Sequence, residues 1–364
     1  MADAQKASAA GYSALDRLIH RIAFANPHVQ RAVGEIENDI FAARLKGHEA
    51  KNPVFVTGLP RAGTTLTLEA LYSTGEFRTF TYRHMPFVLA PLFWTSVTGG
   101  FRKKAVAMER AHGDGMEVSF DSPEAFEEVA WLTYLRNKYM RATSIAPLEA
   151  AAVTPEFENA FRTLIKKLTA PEKSGGLAFR YLSKNNANIG RIGALRKLFP
   201  DATIIVCLRE PLAHVASLMT QHERFLGMHD EDAFSKSYME WIGHYDFGDN
   251  FKPIDFASCG GVQERNSLTR DFWLQYWIDA YAFAEKHSAD NVLFLDYDRL
   301  FEDAQSVYRA LASATGVEET DKLIAAAERI RPATTTIDEA PENAGLLAEA
   351  RALHQRLRSL SLGA

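Results

Sequence analysis

Pro53-Val54-Phe55-Val56-Thr57-Gly58-Leu59-Pro60-Arg61-Ala62-Gly63-Thr64-Thr65-Leu66 is the stretch on which the fold turns. A short β run over residues 53–57 meets a Gly/Pro turn, and a helical stretch follows from Thr64 to about Ser73. Strand, tight turn and helix is the grammar of a nucleotide-binding α/β unit. Gly58 and Gly63 let the backbone turn sharply and approach a ligand with no Cβ in the way. The helix after them presents unpaired N–H groups and a positive dipole end, a ready anion site. Arg61 adds a fixed cation, and Thr64 and Thr65 add hydroxyl donors, so the segment suits a phosphate or phosphosulfate group. An ATP or GTP loop requires G-x-x-x-x-G-K-[ST]. The glycines keep that spacing here, but Thr64 stands where the lysine is needed and the cation moves inside the loop.

Outward from this unit, Thr203-Ile204-Ile205-Val206-Cys207-Leu208 is a second β run, apolar almost throughout, as in a parallel strand covered on both faces. A helix over 189–199 and the turn Pro200-Asp201 precede it; Arg209-Glu210-Pro211 ends it and a helix from about Leu212 leads away. A third strand is expected over 291–296, after a helix over 270–287. Residues 1–50 read as two helices parted near Asn26-Pro27, an N-terminal helical extension. Asp121-Ser122-Pro123-Glu124 reads as the start of a helix carrying Phe126, Val129, Trp131 and Leu132. Residues 226–265, rich in Gly, Asp and aromatics, read as a loop or lid insertion, and 321–364 as a C-terminal helical segment around a 51–320 α/β domain.

The chain has 364 residues, 47% hydrophobic and 24% charged, the range of an ordinary globular protein. A net charge of −5 argues against a nucleic-acid binder, whose affinity rests on a basic surface. Two cysteines, Cys207 and Cys259, supply neither a disulfide framework nor a zinc quartet, and Cys207 reads as a buried small hydrophobe. The N-terminus lacks the basic and apolar regions of a secretory signal, and no apolar run reaches the ~20 residues of a membrane span. These features predict a cytoplasmic protein and leave peripheral membrane contact and oligomeric state open.

The 53–66 string closely resembles the 5′-phosphosulfate loop of the sulfotransferases that use 3′-phosphoadenosine 5′-phosphosulfate (PAPS), in the G-x-P-R-S-G-T-T branch found in many bacterial members. Ala62 departs from that pattern by replacing a serine, which removes one hydroxyl from the loop. The resemblance implies a three-layer, P-loop-like α/β fold with a mainly parallel sheet and helical insertions. It assigns Gly58, Pro60, Arg61, Ala62, Gly63, Thr64 and Thr65 to the 5′ end of the donor. It also implies a second motif, an Arg at a strand end and a Ser eight residues on, for the 3′-phosphate; Arg209 and Ser217 fit it.

Sulfuryl transfer requires in-line geometry, stabilised charge on the transferring group and a base for the acceptor proton. The resemblance offers Arg61 and Lys184 for charge, Lys184 preceding Arg209 by 25 residues as the family lysine does. Asn186 occupies the place where cytosolic relatives carry a histidine base. His84 is the titratable residue nearest the alternative place for a base, with Glu76 behind it; an imidazole suits proton abstraction near neutrality. The acids Glu117, Asp121, Glu124, Glu127 and Glu128 read first as a solvated helix face, with contact to the acceptor or supply of the base as the alternative. Asp296-Tyr297-Asp298-Arg299-Leu300 resembles the family's third segment and is expected to hold the donor elements together. The histidines show no metal-ligand spacing, and the family reaction needs no metal. The implied activity is transfer of a sulfuryl group from PAPS to a hydroxyl or amine, with release of adenosine 3′,5′-bisphosphate. Carbohydrate or lipid-linked glycan acceptors follow from the expected compartment. The alternatives are a P-loop kinase or phosphotransferase, and a non-catalytic nucleotide-binding relative.

Overall fold

The computed structural model describes residues 14–98, 108–109, 117–118, 124–172, 176–231, 233–256, 267–330 and 343–363. Helices α1 (Ala14–Phe24) and α2 (Pro27–Ile40) and the short α3 (Ala42–Leu45) come first. Asn26 separates the first two by capping: its side chain accepts from the His28 N–H at 2.9 Å, and Pro27 opens the next helix. Strand β1 (Val54–Thr57) leads into α4 (Thr64–Ser73), β2 (Phe77–Arg78) and α5 (Pro91–Thr98). A small antiparallel pair, β3 (Met108–Glu109) and β4 (Glu117–Val118), precedes α6 (Glu128–Tyr139), α7 (Pro155–Thr169) and β5 (Arg180–Lys184). Then come α8 (Ile192–Leu198), β6 (Thr203–Leu208), α9 (Pro211–Glu231), α10 (Ala233–Trp241), α11 (Arg270–Lys286) and β7 (Val292–Asp296). Helices α12 (Arg299–Thr315), α13 (Thr320–Ala325) and α14 (Ala344–Ser359) follow.

The strands form one five-stranded sheet in the order β2-β5-β1-β6-β7, every pairing parallel. Alternation along each strand feeds two separate cores, because successive side chains leave opposite faces of a pleated strand. Phe55, Ile204, Val206, Leu208 and Phe294 face a large core shared with α6, α7 and α11. Val54, Val56, Leu182, Ile205, Cys207 and Leu295 face a second one, packed under α4 and α12. Both faces of the sheet are covered, hence the near-continuous apolar reading of β6. The result is a three-layer α/β fold. Cys207 is fully buried, and burial pushes its thiol up to about 12.

The terminal helices add to this frame. Lys167 of α7 sits 3.2 Å from Glu37 of α2, both buried, and donates to the carbonyls of Gly34 and Leu89 at 2.9 Å. Leu353 and Leu357 of α14 belong to the large core. Among the described residues no helix is long and apolar enough to cross a membrane.

Three local expectations change. Residues 226–241, read as loop, are largely helical, because α9 runs on to Glu231 and α10 follows. The helix expected over 189–199 begins as a 3-10 stretch, Asn186–Arg191, before α8. Residues 121–123 of the expected helix start, and Cys259, lie outside the described residues, and α6 begins at Glu128.

Candidate functional site

The loop between β1 and α4 lies at the C-terminal edge of the sheet, the edge at which open α/β folds bind ligands. Gly58 has φ +140°, and a Cβ there would overlap the carbonyl oxygen of Cys207 on the neighbouring strand. Gly63 has φ +87°, and a Cβ would overlap the Tyr297 ring. Both glycines are therefore demanded by close approach as well as by backbone angle. Arg61 also adopts a left-handed φ of +71°, an unusual conformation for a residue with a side chain. The first turn of α4 leaves N–H groups without intrahelical acceptors, Thr64 buried and Thr65 half-buried among them.

The second motif meets the first directly. Arg209 follows the last residue of β6, and its Nη1 donates to the Arg61 carbonyl at 3.3 Å. Ser217, in the second turn of α9, accepts from Arg61 Nε at 3.2 Å. Helix α9 thus packs beside the loop, the condition on which Ser217 could join it. Arg209 is 5% exposed, lies 5.2 Å from the centroid of the Tyr297 ring, and keeps its Nε without a hydrogen-bond partner. A buried guanidinium N–H of this kind is a donor awaiting an acceptor.

His214 locks the assembly from behind. Its Nε2 donates to the Pro60 carbonyl at 2.7 Å, while Nδ1 accepts from Trp277 Nε1 at 3.1 Å. Complete burial drives its pKa down to about 3, with the nearby Arg209 and Arg61 cations adding to the fall, so the ring is neutral. Sequence reading passed over His214; its place one helical turn before Ser217 was the available signal.

On the other side of the loop, Lys184 ends β5 beside Val56 of β1 and is 8% exposed. Thr57 Oγ1 donates to the Asn185 and Asn186 carbonyls at 2.9 and 3.2 Å, joining the ends of β1 and β5. Asn186 then bridges: its Oδ1 accepts from Thr64 Oγ1 at 3.2 Å, and its Nδ2 donates to Asp246 Oδ2 at 3.0 Å.

The acidic set is not a solvated face. Glu124, Glu127 and Glu128 are all at least 97% buried, and each is bonded. Glu128 accepts from Arg191 at 2.5 and 2.7 Å, from Tyr139 at 2.7 Å and from Asn185 at 2.8 Å. The Arg191 guanidinium lies between the Trp131 and Tyr139 rings. Glu127 accepts from Tyr181 at 2.7 Å and Asn188 at 2.6 Å, and burial raises its pKa. Glu124 accepts from Tyr82 at 3.1 Å. The spacing that suggested an exposed face instead feeds a buried network behind β5, a difference that the aromatic residues interleaved with the acids could have signalled. Glu117 and Asp121 have no described side chains.

His84 is half-buried in the 3-10 turn Tyr82–His84, and its Nδ1 accepts from the Thr81 N–H at 2.9 Å. That bond caps the turn and occupies one ring nitrogen. Glu76 precedes β2, at the N-terminal edge of the parallel sheet, and accepts from the Glu319 N–H at 2.8 Å. It is on the wrong side of the sheet to meet a ligand at Gly58–Arg61. After β7, Tyr297 packs against Gly63, and Asp298 accepts from the Glu210 N–H at 2.7 Å, so this segment holds both halves of the site.

The structure resembles sulfotransferase STF9 from Mycobacterium avium, at 14% identity and TM-score 0.56, over 99% of this chain and 90% of that one. It also matches sulfotransferase STF1 from Mycobacterium tuberculosis H37Rv, at 14% identity and TM-score 0.47, over 98% and 89% of the two chains. No curated protein matches the sequence. At such identities the first likeness speaks for the fold. The family profile described as "Sulfotransferase family" matches residues 53–256, from the first residue before β1 to the loop after α10 and more than half of the chain. With the fold and the profile in agreement, the chain belongs to the sulfotransferase family.

Proposed function

We propose that the protein transfers a sulfuryl group from PAPS to a hydroxyl or amine of an acceptor and releases adenosine 3′,5′-bisphosphate. The observation that carries this reading is the meeting of two basic segments 148 residues apart, with Arg209 Nε buried and unsatisfied between them. Such a guanidinium fits a phosphate better than water, because a charge-assisted bond offsets its desolvation. The glycine loop and the first turn of α4 would receive the 5′-phosphosulfate, and Arg209 with Ser217 the 3′-phosphate. The contact between Arg61 and Ser217 supports a place for the Arg61 guanidinium on the 3′-phosphate side, with Lys184 then the cation that would serve the transferring group.

Within this reading the protein's own groups have simple tasks. Backbone N–H groups and Lys184 would stabilise charge on the sulfuryl and bridging oxygens, and the rigid loop would fix the line of attack. Thr64, where a Walker lysine would stand, disfavours ATP chemistry. The test is to offer radiolabelled PAPS to phenols, glycans and lipids and to follow label transfer. Labelled product is expected with at least one hydroxyl class; tight bisphosphate binding without transfer to any acceptor or to water would make the protein a non-catalytic relative.

A further inference from the structure

We infer that Asp246 is the general base that takes the proton of the acceptor, with Asn186 as the residue that positions it. This rests on the sulfotransferase reading above. Asn186 stands two residues beyond Lys184 and carries no titratable proton, so it serves as a link. It connects Thr64, at the first position of α4, with the carboxylate of Asp246 through bonds of 3.2 and 3.0 Å. A carboxylate is thereby held one side chain away from the anion end of the phosphate loop.

The segment around it is fixed. Tyr245 and Phe247 are buried on either side of the half-buried Asp246, and the Lys252 N–H donates to the Tyr245 carbonyl at 2.9 Å. Gly248 N–H donates to His222 Nδ1 at 3.2 Å, fastening the next turn to α9. Among the described residues, Asn186 is the hydrogen-bond partner of Asp246, and no cation forms an ion pair with it. Asp246 lines a recess together with Pro60 of the phosphate loop, Ala187, Tyr245, Phe251 and Trp273. The recess has room for little more than one water-sized group, so a hydroxyl or water oxygen placed there would meet the carboxylate beside the loop. His84, by contrast, spends a ring nitrogen on capping its own turn.

In the step, the acceptor oxygen forms a bond to sulfur as the bond from sulfur to the 5′-phosphate oxygen breaks. The hydroxyl proton passes to Asp246, the leaving electron pair stays on the bisphosphate, and the protonated carboxyl then returns its proton to solvent. No further reactant is required.

Water is an acceptor available to any such enzyme, so the experiment follows release of labelled sulfate from PAPS under single-turnover conditions. Bisphosphate affinity is measured in parallel by calorimetry on the same full-length proteins. Asp246→Ala is expected to slow release about 10²-fold with bisphosphate affinity within about threefold of wild type. Added formate, small enough to stand in for the missing carboxylate, is expected to restore at least about tenfold, a response that loss of a merely structural contact does not give. Release at the wild-type rate in Asp246→Ala, or a fall that formate does not reverse, would overturn the assignment. Wild-type protein that binds no bisphosphate would instead overturn the donor reading on which it stands.

Discussion

Arg209 Nη1 donates to the carbonyl oxygen of Arg61 at 3.3 Å, while the side chain of Arg61 donates from Nε to Ser217 at 3.2 Å. Each arginine is thus held by the segment of the other, one through its backbone and one through its side chain. The left-handed φ of +71° at Arg61 is what turns its carbonyl toward β6 and its guanidinium toward α9. Backbone strain of this kind persists only where surrounding contacts over-determine it. Here they are the His214 bond to Pro60 and the Tyr297 ring against Gly63.

Gly58→Ala tests the loop. The new methyl would meet a backbone carbonyl that belongs to the central sheet and has no room to move, at a φ of +140° that alanine avoids. A loss of about 2–4 kcal/mol is expected, combining backbone strain and overpacking. Urea unfolding checks it, and bisphosphate affinity should fall with stability. An alanine variant of wild-type stability would show that the loop and β6 are not in contact.

The buried pair of Glu128 and Arg191 gives a second stability test. Glu128→Gln removes the anion that neutralises a guanidinium 2% exposed between two aromatic rings. Breaking one partner of a buried pair costs about 3–5 kcal/mol. Glutamine keeps one acceptor oxygen for donors that Glu128 satisfies with two, so the Asn185 tie beside Lys184 is weakened and labelled-sulfate transfer should fall even where the variant remains folded. A loss below about 1 kcal/mol would mean that the pair is solvated, contrary to the structure.

His214 predicts acid sensitivity. Its folded pKa of about 3 lies below the ~6.5 of an exposed histidine, so between these values the unfolded chain binds the extra proton. Its stabilising effect is complete above about pH 6.5 and declines as pH falls toward 3. The slope from this group approaches about 1.4 kcal/mol per pH unit. Unfolding free energies at pH 7 and pH 5 should therefore differ by about 2 kcal/mol less in His214→Gln than in wild type. Parallel pH curves for the two proteins would contradict a buried neutral ring.

Much of this architecture was legible from residue order. Thr64–Ser73 and Thr203–Leu208 fall where the glycine turn and the apolar run indicated, because both signals are local. The meeting of Arg209, Ser217 and Arg61 followed from two motifs and the rule that parallel sheets bind ligands at their C-terminal edge. What the sequence hid was long-range. Glu124 and Glu128 have the one-turn spacing of countless exposed pairs, and partners more than 50 residues away hold this acidic stretch inside: Asn185 and Arg191 on Glu128, Tyr181 and Asn188 on Glu127. The side of the sheet on which Glu76 falls depends on the direction of β2, which two residues of strand do not announce. Asp246 sat in a segment without periodicity, and its tie to Asn186 spans 60 residues.

The central claim is that the two basic segments clasp one doubly phosphorylated adenosine. Calorimetry of adenosine 3′,5′-bisphosphate and of ATP against wild-type protein and Arg209→Ala measures it directly. The account predicts one bisphosphate per chain, weaker binding of ATP, and a loss in the variant of about 2–5 kcal/mol, or some 30-fold to several-thousand-fold in affinity. Equal affinity of wild type and Arg209→Ala for the bisphosphate, or a preference for ATP, would contradict it.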